Sequence, residues 1–386
     1  MNTSKKKKTA TPYSVPWSKP DIGKDEKQAV ERVLKSGWLS QGKVTEDFEK
    51  ELAKYSGAKY AVAVNSGSSA LLCALLAHHT MHGDRVLVPD YTHVATASVP
   101  ILLGCKLSPV DICLRTLNVS VPKIEKSVRI FRPRFVISVD VAGMPNDRES
   151  LCELANRYEF TLIQDGAEAL GAKYKGLKIG STNNTVILSF HAAKPITTVQ
   201  GGAVLTNDER IAERCRLIRN FGQASDQSWL QKIVGTNLKT TDLQSAIGIV
   251  QLRKLEMYIR RRNRIAERYR DALSEWFSFQ KVPEYVTRHP YMMFISLASS
   301  QRIRNMLKEY LLRRRIDTRT PFPPLHIQPQ LKSISSKRFS NSIYAFRHSL
   351  ALPIYNTMEN HEVEHVISSV SAFFQQVLSR HHHLGK

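Results

Sequence analysis

An apolar run leads to a lysine in the stretch Thr185-Val186-Ile187-Leu188-Ser189-Phe190-His191-Ala192-Ala193-Lys194. The run 185–188 is β-branched and aliphatic, which predicts a buried strand. Lys194 follows shortly after, so we expect it in a loop beyond the carboxyl end of that strand. Apolar neighbours favour the uncharged amine of a lysine, which is its nucleophilic form. A surface lysine in an ordinary loop is the alternative interpretation.

Two more apolar runs end in polar residues upstream of this stretch. Thr161-Leu162-Ile163-Gln164-Asp165 ends on a carboxylate, and Ala61-Val62-Ala63-Val64 continues directly into Asn65-Ser66-Gly67-Ser68-Ser69. The serines predict a helix N-terminus directly after a strand, where backbone N–H groups and hydroxyls can bind a phosphate. Taken singly, Asp165 and the serines are explained by ordinary helix capping. Their order along the chain favours a shared site.

Short apolar runs alternate with helical patterns from residue 60 onward, which predicts an α/β fold with a mostly parallel sheet. We expect seven strands, at 61–64, 85–88, 106–110, 135–139, 161–164, 186–190 and 203–206. Ligands bind at the carboxyl ends of the strands in such sheets. Ser66, Asp90, Asp165 and Lys194 lie at or just beyond those ends, so we expect them at one edge of the sheet.

The length of 386 residues and a hydrophobic content of 42% favour two domains. Lysines and prolines near the N-terminus predict a flexible basic arm over residues 1–20. A large domain is expected over 21–255, and a long helix is predicted from about Thr241 to Arg264. A small C-terminal α+β domain is expected over 256–375 and a tail over 376–386.

The net charge is strongly positive, because 56 lysines and arginines outweigh 34 acidic residues to give +22. Such a charge attracts polyanions, so phosphorylated small molecules and nucleic acid are both candidate partners. The excess includes the runs Arg260-Arg261-Arg262-Asn263-Arg264 and Arg313-Arg314-Arg315, which are typical of solvated helix faces. The arginine-rich small domain is a candidate contact for a diphosphate. The sequence has no zinc-finger spacing, no RRM signature and no basic region with heptads, so nucleic acid is not the expected partner.

The cysteines, at positions 73, 105, 113, 152 and 215, are scattered without C-x-x-C spacing. Their odd number in a chain of this length predicts reduced thiols and a cytoplasmic setting. No apolar segment follows the N-terminal lysines, and no stretch approaches about 18 apolar residues, so we expect neither a signal peptide nor a membrane span. We expect no metal site.

The serine-rich turn, Asp165 and Lys194 match the three chemical groups of pyridoxal phosphate (PLP). This cofactor has a phosphate to bind, a pyridine nitrogen that must stay protonated and an aldehyde that forms a Schiff base. The carboxylate of residue 165 would pair with the pyridinium, and the amine of residue 194 would condense with the aldehyde. The sequence therefore predicts PLP as the cofactor.

Several stretches extend this pattern in order along the chain. They are Lys35-Ser36-Gly37-Trp38-Leu39-Ser40-Gln41-Gly42, residues 65–71, Gly83-Asp84-Arg85-Val86-Leu87-Val88-Pro89, residues 164–172, residues 189–202, Gly235-Thr236-Asn237-Leu238-Lys239, Pro323-Pro324-Leu325-His326 and Leu352-Pro353. In this order they resemble the nucleotide-sugar aminotransferases, the DegT-type branch of the fold type I PLP enzymes, from about residue 15 to residue 370. The resemblance implies a large domain with a mostly parallel seven-stranded sheet and a small C-terminal domain.

The resemblance also implies catalytic roles. Lys194 is implied to form the Schiff base and to move a proton between the amino-acid carbon and the cofactor, while Asp165 contacts the ring nitrogen. The residues implied to bind the phosphate are Ser68, Ser69 and Ser189. Asn237 would reach the cofactor phosphate bound in the neighbouring subunit. Each active site of a homodimer would then contain residues from both subunits.

Further site residues follow from the same resemblance. Glu168 holds a position beside the ring and the incoming sugar, and His93 stands where the family has an aromatic ring stacked on the pyridine. An ordinary polar loop residue is the alternative for His93. His326 is implied near the sugar, and Lys239 stands where arginine is commoner, which loses a bidentate anion contact. The family's usual Gly-Glu-Gly-Gly is replaced by Val199-Gln200-Gly201-Gly202, which restricts the backbone and removes a charge.

The resemblance implies an enzyme of carbohydrate biosynthesis that moves an amino group from an amino acid, expected to be glutamate, to a keto group of a nucleotide-linked 4-keto-6-deoxy sugar. Amination at C4 is favoured over C3 because residues 165–168 are closer to the perosamine-type enzymes. The alternatives are a sugar C3 or cyclitol aminotransferase or a racemase of the same fold, or a catalytically silent regulatory or nucleic-acid-binding relative. Lys194 argues against the dehydratase branch, which has histidine at this position.

Overall fold

The computed structural model describes residues 14–224, 229–331 and 339–384. Its strands are β1 (Tyr60–Val64), β2 (Arg85–Pro89), β3 (Lys106–Val110), β4 (Phe135–Val139), β5 (Thr161–Asp165), β6 (Lys173–Tyr174), β7 (Leu177–Lys178), β8 (Thr185–Ser189), β9 (Gly202–Thr206), β10 (Ser278–Phe279), β11 (Val286–Arg288), β12 (Phe294–Leu297) and β13 (Ser349–Leu352). Seven of them form one sheet in the order β1-β9-β8-β5-β4-β2-β3. β9 runs antiparallel to β1 and β8, and the other neighbours are parallel. The seven strands expected from the sequence are confirmed, each within one residue of its predicted bounds.

Helices cover both faces of this sheet. They are α1 (Lys24–Ser36), α2 (Lys43–Ser56), α3 (Gly67–Ala77), α4 (Ala95–Leu102), α5 (Val121–Phe131), α6 (Arg148–Tyr158), α7 (Glu209–Arg219), α8 (Asp242–Leu273), α9 (Gln301–Arg313), α10 (Ser340–His348) and α11 (Asn360–Leu384). On one face, α3 and α7 belong to the same apolar cluster as Ile187 of β8. On the other face, α2 and α8 join Val186 and Leu188. Successive residues of a strand point to opposite faces, which is why an all-apolar strand such as β8 is buried on both. Within the described ranges, none of these helices is long and apolar enough to span a membrane.

β10, β12 and β13 form a second sheet, and β11, β6 and β7 form a third. A separate apolar cluster, which includes Phe294 and Leu350, joins the second sheet to α9, α11 and the C-terminal part of α8. The sequence indicated strands only between residues 281 and 295 in this part of the chain. β6, β7, β10 and β13 were not predicted because runs this short show no alternating pattern.

Helix α8 runs without interruption from Asp242 to Leu273, so the expected domain border between residues 255 and 256 falls inside a helix. The division into a large and a small domain stays a prediction. Helix α11 continues to Leu384 through most of the expected tail, because residues 371–384 contain no glycine or proline to end it. The last two residues of the tail lie outside the described residues.

The expected basic arm is only partly described, because residues 1–13 lie outside the described ranges. Val15 is buried and pairs with Ile316, which follows α9. Its N–H donates to the carbonyl of Arg315, and its own carbonyl accepts from the N–H of Asp317. The packed part of the chain therefore begins before residue 21, because burying an apolar side chain at position 15 is favourable.

Candidate active site

The N-terminus of α3 lies at the carboxyl end of β1, as the serine-rich turn predicted. Ser66 caps this helix, since its Oγ accepts a hydrogen bond of 3.0 Å from the backbone N–H of Ser69. A Cβ on Gly67 would lie 2.8 Å from the Cβ of Ser189, and a Cβ on Gly202 would lie 2.4 Å from the carbonyl oxygen of Ser66. Glycine at both positions lets the helix N-terminus approach the ends of β8 and β9. The result is a cradle of backbone N–H groups that suits an anion.

Two of the three serines predicted to hold the phosphate border a cavity of about 600 Å³. We call it the strand-end cavity, and its lining includes Ser68, Ser189, Asp165 and Lys194. Ser69 differs from the other two serines. Its Oγ donates a hydrogen bond of 2.5 Å to Oδ1 of Asn65 and lies 2.8 Å from Oγ of Ser66, so its hydroxyl is engaged within the helix cap.

Asp165 ends β5 inside the strand-end cavity and is only 8% exposed. Its Oδ2 accepts a hydrogen bond of 2.9 Å from the hydroxyl of Thr96, and its Oδ1 accepts one of 3.1 Å from the N–H of Ala167. Burial raises the pKa of Asp165, whereas these hydrogen bonds and the charge of Lys194 oppose that rise. A cation placed against this carboxylate would further stabilise its ionised form, because opposite charges attract strongly where water is excluded.

Lys194 lies in the loop between β8 and β9, with its Nζ 3.2 Å from Oε1 of Glu168. The two side chains are largely buried, with 15% and 9% of their surfaces exposed. Oε2 of Glu168 accepts a hydrogen bond of 2.8 Å from the N–H of Ala142. Ala142 has a φ of 60°, an uncommon left-handed conformation inside the short turn Val141–Gly143. An amine and two carboxylates therefore meet in one cavity.

The strand-end cavity fits the predicted cofactor. The cradle at the start of α3 supplies N–H and hydroxyl donors for a phosphate. Asp165 is a buried anion that can pair with a pyridinium, and Lys194 is a largely buried amine that can condense with an aldehyde. The volume of about 600 Å³ is that of an ordinary cofactor site.

Two histidines, His93 and His191, also line the strand-end cavity. The Nδ1 atom of each accepts a hydrogen bond of 3.2 Å from a backbone N–H two residues later, at Ala95 and Ala193 respectively. Burial, together with the charges of Lys194 and His93, lowers the pKa of His191, so its imidazole is neutral at neutral pH. The position of His93 is compatible with the stacking role that the resemblance implies, and that role stays a prediction.

Asn237 and Lys239 lie outside the strand-end cavity. The backbone of Asn237 pairs with Asn220, and Nζ of Lys239 donates a hydrogen bond of 3.2 Å to Oδ1 of Asn220. Lys239 lines a second cavity of about 1110 Å³, together with Trp38 and residues of α2 and α7. Neither Asn237 nor Lys239 is among the described residues that line the strand-end cavity.

His326 is buried against Asp90, which follows the end of β2. Its Nδ1 lies 2.7 Å from Oδ2 of Asp90, and its backbone N–H donates a hydrogen bond of 3.0 Å to Oδ1. The imidazole stacks on Phe339 with 4.8 Å between ring centroids. Burial raises the pKa of Asp90, and the contacts from His326 oppose that rise. These contacts hold the loop that contains His326 against the end of β2. The predicted contact of His326 with a sugar stays a prediction.

Arg261 and Arg262, which belong to the arginine-rich run at the start of the expected small domain, both form hydrogen bonds within the chain. Nε of Arg262 donates a hydrogen bond of 2.8 Å to Oδ1 of Asn356, and Nη1 donates to the carbonyls of Tyr291 and Ile354. Arg261 donates to the carbonyl of Met358 through two nitrogens. Both guanidinium groups therefore hold to α8 the segments that flank β12 and β13 of the second sheet. The seven-residue spacing of Arg262 from Leu255, on the buried face of α8, was a signal of this role.

Sequence reasoning did not single out Thr96 or Arg319, although both line the strand-end cavity. Thr96 stands four residues after Thr92 at the start of α4, and this spacing places the two hydroxyls 3.0 Å apart. Arg319 precedes the proline-rich loop at 320–324 and carries no local signal of a role in the site.

Comparisons with known proteins match nearly the whole chain. Residues 20–371 match the DegT/DnrJ/EryC1/StrS aminotransferase family. The chain is 33% identical to the spore coat polysaccharide biosynthesis protein SpsC of Bacillus subtilis (strain 168), over 93% of this chain and 96% of that protein. It is 30% identical to the GDP-perosamine synthase of Escherichia coli O157:H7, over 93% of this chain and 98% of that protein.

Solved structures show the same fold. DesV of S. venezuelae, in complex with a ketimine intermediate, superposes with a TM-score of 0.87 at 30% identity, covering 93% of this chain and 98% of that one. The fold type I architecture and the aminotransferase activity expected from the sequence are thereby confirmed. The chain belongs to the DegT/DnrJ/EryC1/StrS aminotransferase family.

Proposed function

We propose that this chain is a PLP-dependent aminotransferase that moves an amino group from glutamate to the keto group of a nucleotide-linked sugar. The observation that carries the proposal is the meeting of Lys194, Asp165 and Glu168 in the strand-end cavity, beside an anion-binding helix N-terminus. The likeness to a GDP-perosamine synthase supports a nucleotide-linked 4-keto-6-deoxy sugar as the acceptor, with amination at C4. The net charge of +22 suits a substrate that bears a diphosphate.

PLP, when bound, supplies an aldehyde for a Schiff base and a ring that accepts negative charge. Lys194 would hold the cofactor through Nζ and, once released, would carry a proton to and from the substrate carbon. Asp165 would keep the ring nitrogen protonated, with Thr96 and Ala167 fixing its two carboxylate oxygens. The residues proposed to bind the phosphate are Ser68 and Ser189, with the N–H groups of the first turn of α3. Ser69 is proposed to hold that turn in place through the contacts of its hydroxyl with Asn65 and Ser66.

Glu168 is proposed to act on the amine and on the sugar. Its Oε1 lies 3.2 Å from Nζ of Lys194, so the carboxylate can orient the amine by a hydrogen bond. Once Lys194 is engaged with the cofactor, Oε1 of Glu168 is available to accept a hydrogen bond from the incoming sugar. His93 is proposed to lie against the ring, where a neutral or charged imidazole can stack, although with less area than a phenyl or indole ring.

We further propose that the enzyme is a homodimer with shared active sites. Asn237 and Lys239 do not line the strand-end cavity of their own chain, so in this proposal they serve the cavity of a second copy. The segment between α7 and α8, which holds both residues, also exposes Trp229, Leu230 and Val234, at 88%, 79% and 91%. Exposed apolar side chains this close together are typical of a protein–protein interface.

We place the enzyme in the cytoplasm. All five cysteines are free thiols, and free thiols persist in the reducing cytosol.

The purified protein is expected to show a visible absorbance band with PLP. The band should disappear on addition of glutamate and return on addition of a nucleotide-linked 4-keto-6-deoxy sugar, whose aminated product is identified by mass. Borohydride treatment followed by peptide mapping should find the cofactor on Lys194, and K194A should lose every one of these signals. A colourless protein that retains nucleic acid in moderate salt would instead favour a catalytically silent relative.

A further inference from the structure

The charge balance of the strand-end cavity limits where a substrate anion can bind. Four charged side chains are among its described lining residues: Asp165, Glu168, Lys194 and Arg319. Two of them are carboxylates, which repel an anionic ligand. In the proposed function, Lys194 holds the cofactor through Nζ and is therefore not available to bind a substrate anion. Arg319 is therefore the remaining permanent cation that this chain contributes to the described wall.

Both substrates of the proposed function are anions. Glutamate bears two carboxylates, and a nucleotide-linked sugar bears a diphosphate. Burying such groups beside Asp165 and Glu168 is unfavourable unless a cation faces them. The neighbouring histidine His191 does not supply that charge, because burial and nearby cations lower its pKa.

Arg319 is held in place by its backbone. Its N–H donates a hydrogen bond of 3.2 Å to the carbonyl of Ala351, and the N–H of Ala351 donates one of 2.7 Å to its carbonyl. Ala351 belongs to β13, so this pairing anchors Arg319 to the edge of the second sheet. Thr320 to Pro323 then continue along the wall of the strand-end cavity.

The guanidinium of Arg319 is oriented by two further contacts. Its Nη2 lies 3.1 Å from Oδ2 of Asp317, and its Cζ lies 6.0 Å from the centre of the Trp17 ring. Trp17 also lines the strand-end cavity. The Arg319 side chain is 59% exposed, so a ligand can reach it. The guanidinium thus lies between an aromatic ring and a carboxylate, and its planar N–H donors suit an oxyanion.

Resting on the proposed function, we propose that Arg319, supported by Trp17 and Asp317, is the anion-binding subsite of the strand-end cavity. It receives the carboxylate of the amino-acid donor or the diphosphate of the sugar substrate. The two substrates occupy the cavity in turn, so one cation can serve both. A guanidinium matches either ligand, because its parallel N–H donors bind carboxylate and phosphate oxygens in pairs.

The test compares R319M and R319K with a matched control, R157M. Arg157 is 60% exposed and paired with Glu125 at 3.5 Å, so it resembles Arg319 in exposure and pairing but lies on α6. Calorimetry on the PLP-loaded enzyme gives dissociation constants for 2-oxoglutarate, UDP and GDP. Separate assays give KM for glutamate and for the keto-sugar.

We expect R319M to weaken binding of at least one probe about tenfold, since a hydrogen bond to a charged group is lost at a half-exposed site. R319K keeps the charge and should lose less, and R157M should match the wild type. A weaker 2-oxoglutarate complex identifies the donor carboxylate as the ligand, and a weaker UDP or GDP complex identifies the diphosphate. PLP affinity and Tm should be the same in all four proteins.

Wild-type affinities for all three probes in R319M, with unchanged KM values, would overturn the subsite and leave the proposed function intact. A wild-type enzyme that takes no amino group from glutamate and binds none of the probes would overturn both. The two failures are therefore distinguishable.

Discussion

The hydroxyl of Thr96 donates a hydrogen bond of 2.9 Å to Oδ2 of Asp165, and both residues are buried. Thr92 lies behind this pair, with its hydroxyl 3.0 Å from that of Thr96. Burial raises the pKa of Asp165, and the bond from Thr96 is one of the contacts that lower it again. A threonine in the first turn of α4 thus favours the ionised carboxylate, which is the form that can pair with a pyridinium.

Replacing Thr96 by valine, which has a similar shape, should weaken PLP binding about tenfold, because a hydrogen bond to a charged group is worth about 1.5–3 kcal/mol. Without that bond the pKa of Asp165 rises further. The carboxylate then needs a higher pH to ionise, so the pH below which PLP binding fails should move upward. Absorbance titrations with PLP over a pH series measure both effects.

Two controls separate the hydrogen bond from packing at this position. T96S restores a hydroxyl and should return the PLP affinity and its pH dependence towards the wild type. T92V removes only the outer hydroxyl and should have a smaller effect. A T96V enzyme with wild-type PLP affinity at every pH would show that Thr96 does not position Asp165.

Glu168 has two contacts that mutation can separate. Glu168→Ala leaves the buried N–H of Ala142 without its acceptor, which should lower the free energy of unfolding by about 1–3 kcal/mol. Glu168→Gln keeps an oxygen for that N–H and removes the charge that faces Lys194. Urea unfolding should therefore find E168Q close to the wild type and E168A less stable. Equal stability of E168Q and E168A would show that the hydrogen bond from Ala142 does not contribute to the free energy of unfolding.

The same two variants test the chemical role of Glu168. Both lack the carboxylate that faces Nζ of Lys194, so we expect both to aminate the keto-sugar more slowly than the wild type. PLP binding should survive in E168Q, because Asp165 and the phosphate cradle are intact. An E168Q enzyme with wild-type kcat would restrict Glu168 to a structural role.

Val199 has a φ of 71°, a conformation that is strained for a β-branched residue by about 1–3 kcal/mol. Glycine adopts this conformation freely but loses about 0.5–1 kcal/mol of backbone entropy on folding. Val199→Gly should therefore raise the free energy of unfolding by about 1 kcal/mol. V199A keeps a Cβ and should gain less.

Urea unfolding of V199G, V199A and the wild type, at one protein concentration, measures the change in the free energy of unfolding caused by each substitution. The concentration is fixed because Val199 is an exposed apolar residue and a dimer gains stability by mass action. A V199G protein that is less stable than the wild type would show that the valine side chain makes contacts that outweigh its strain.

The main groups of the site could be predicted because each follows an apolar strand. Asp165 is the last residue of β5 and Lys194 follows β8, and the carboxyl ends of parallel neighbours meet at one edge of a sheet. That rule needs only the local pattern of each run and the order of the runs along the chain.

Other residues of the site could not be predicted, because their positions depend on partners far away in sequence. Thr96 contacts a residue 69 positions later, and Arg319 is fixed by its pairing with Ala351. The resemblance did imply His326 near the site, but not the contact of its imidazole with Asp90, 236 positions earlier. No local pattern encodes which wall of a cavity such a side chain will join.

The proposed sharing of active sites can be tested by mixing inactive subunits. K194A should abolish the activity of the site in its own chain, whereas N237A should lower the activity of the site in the partner chain. In a mixed dimer, the N237A subunit keeps its Lys194 and receives an intact Asn237 from the K194A subunit. One complete site is therefore expected, so unfolding and refolding the two proteins together should restore part of the activity.

The control for this mixture is K194A with D165N. Both residues lie in the strand-end cavity of one chain, so in a mixed dimer each cavity still lacks one of them. We expect no recovery from this pair. Recovery with both mixtures, or with neither while size measurements show mixed dimers, would contradict the assignment of Asn237 to the partner's site. Recovery with the first mixture alone would mean that Asn237 acts across the interface while Asp165 and Lys194 act together within one chain.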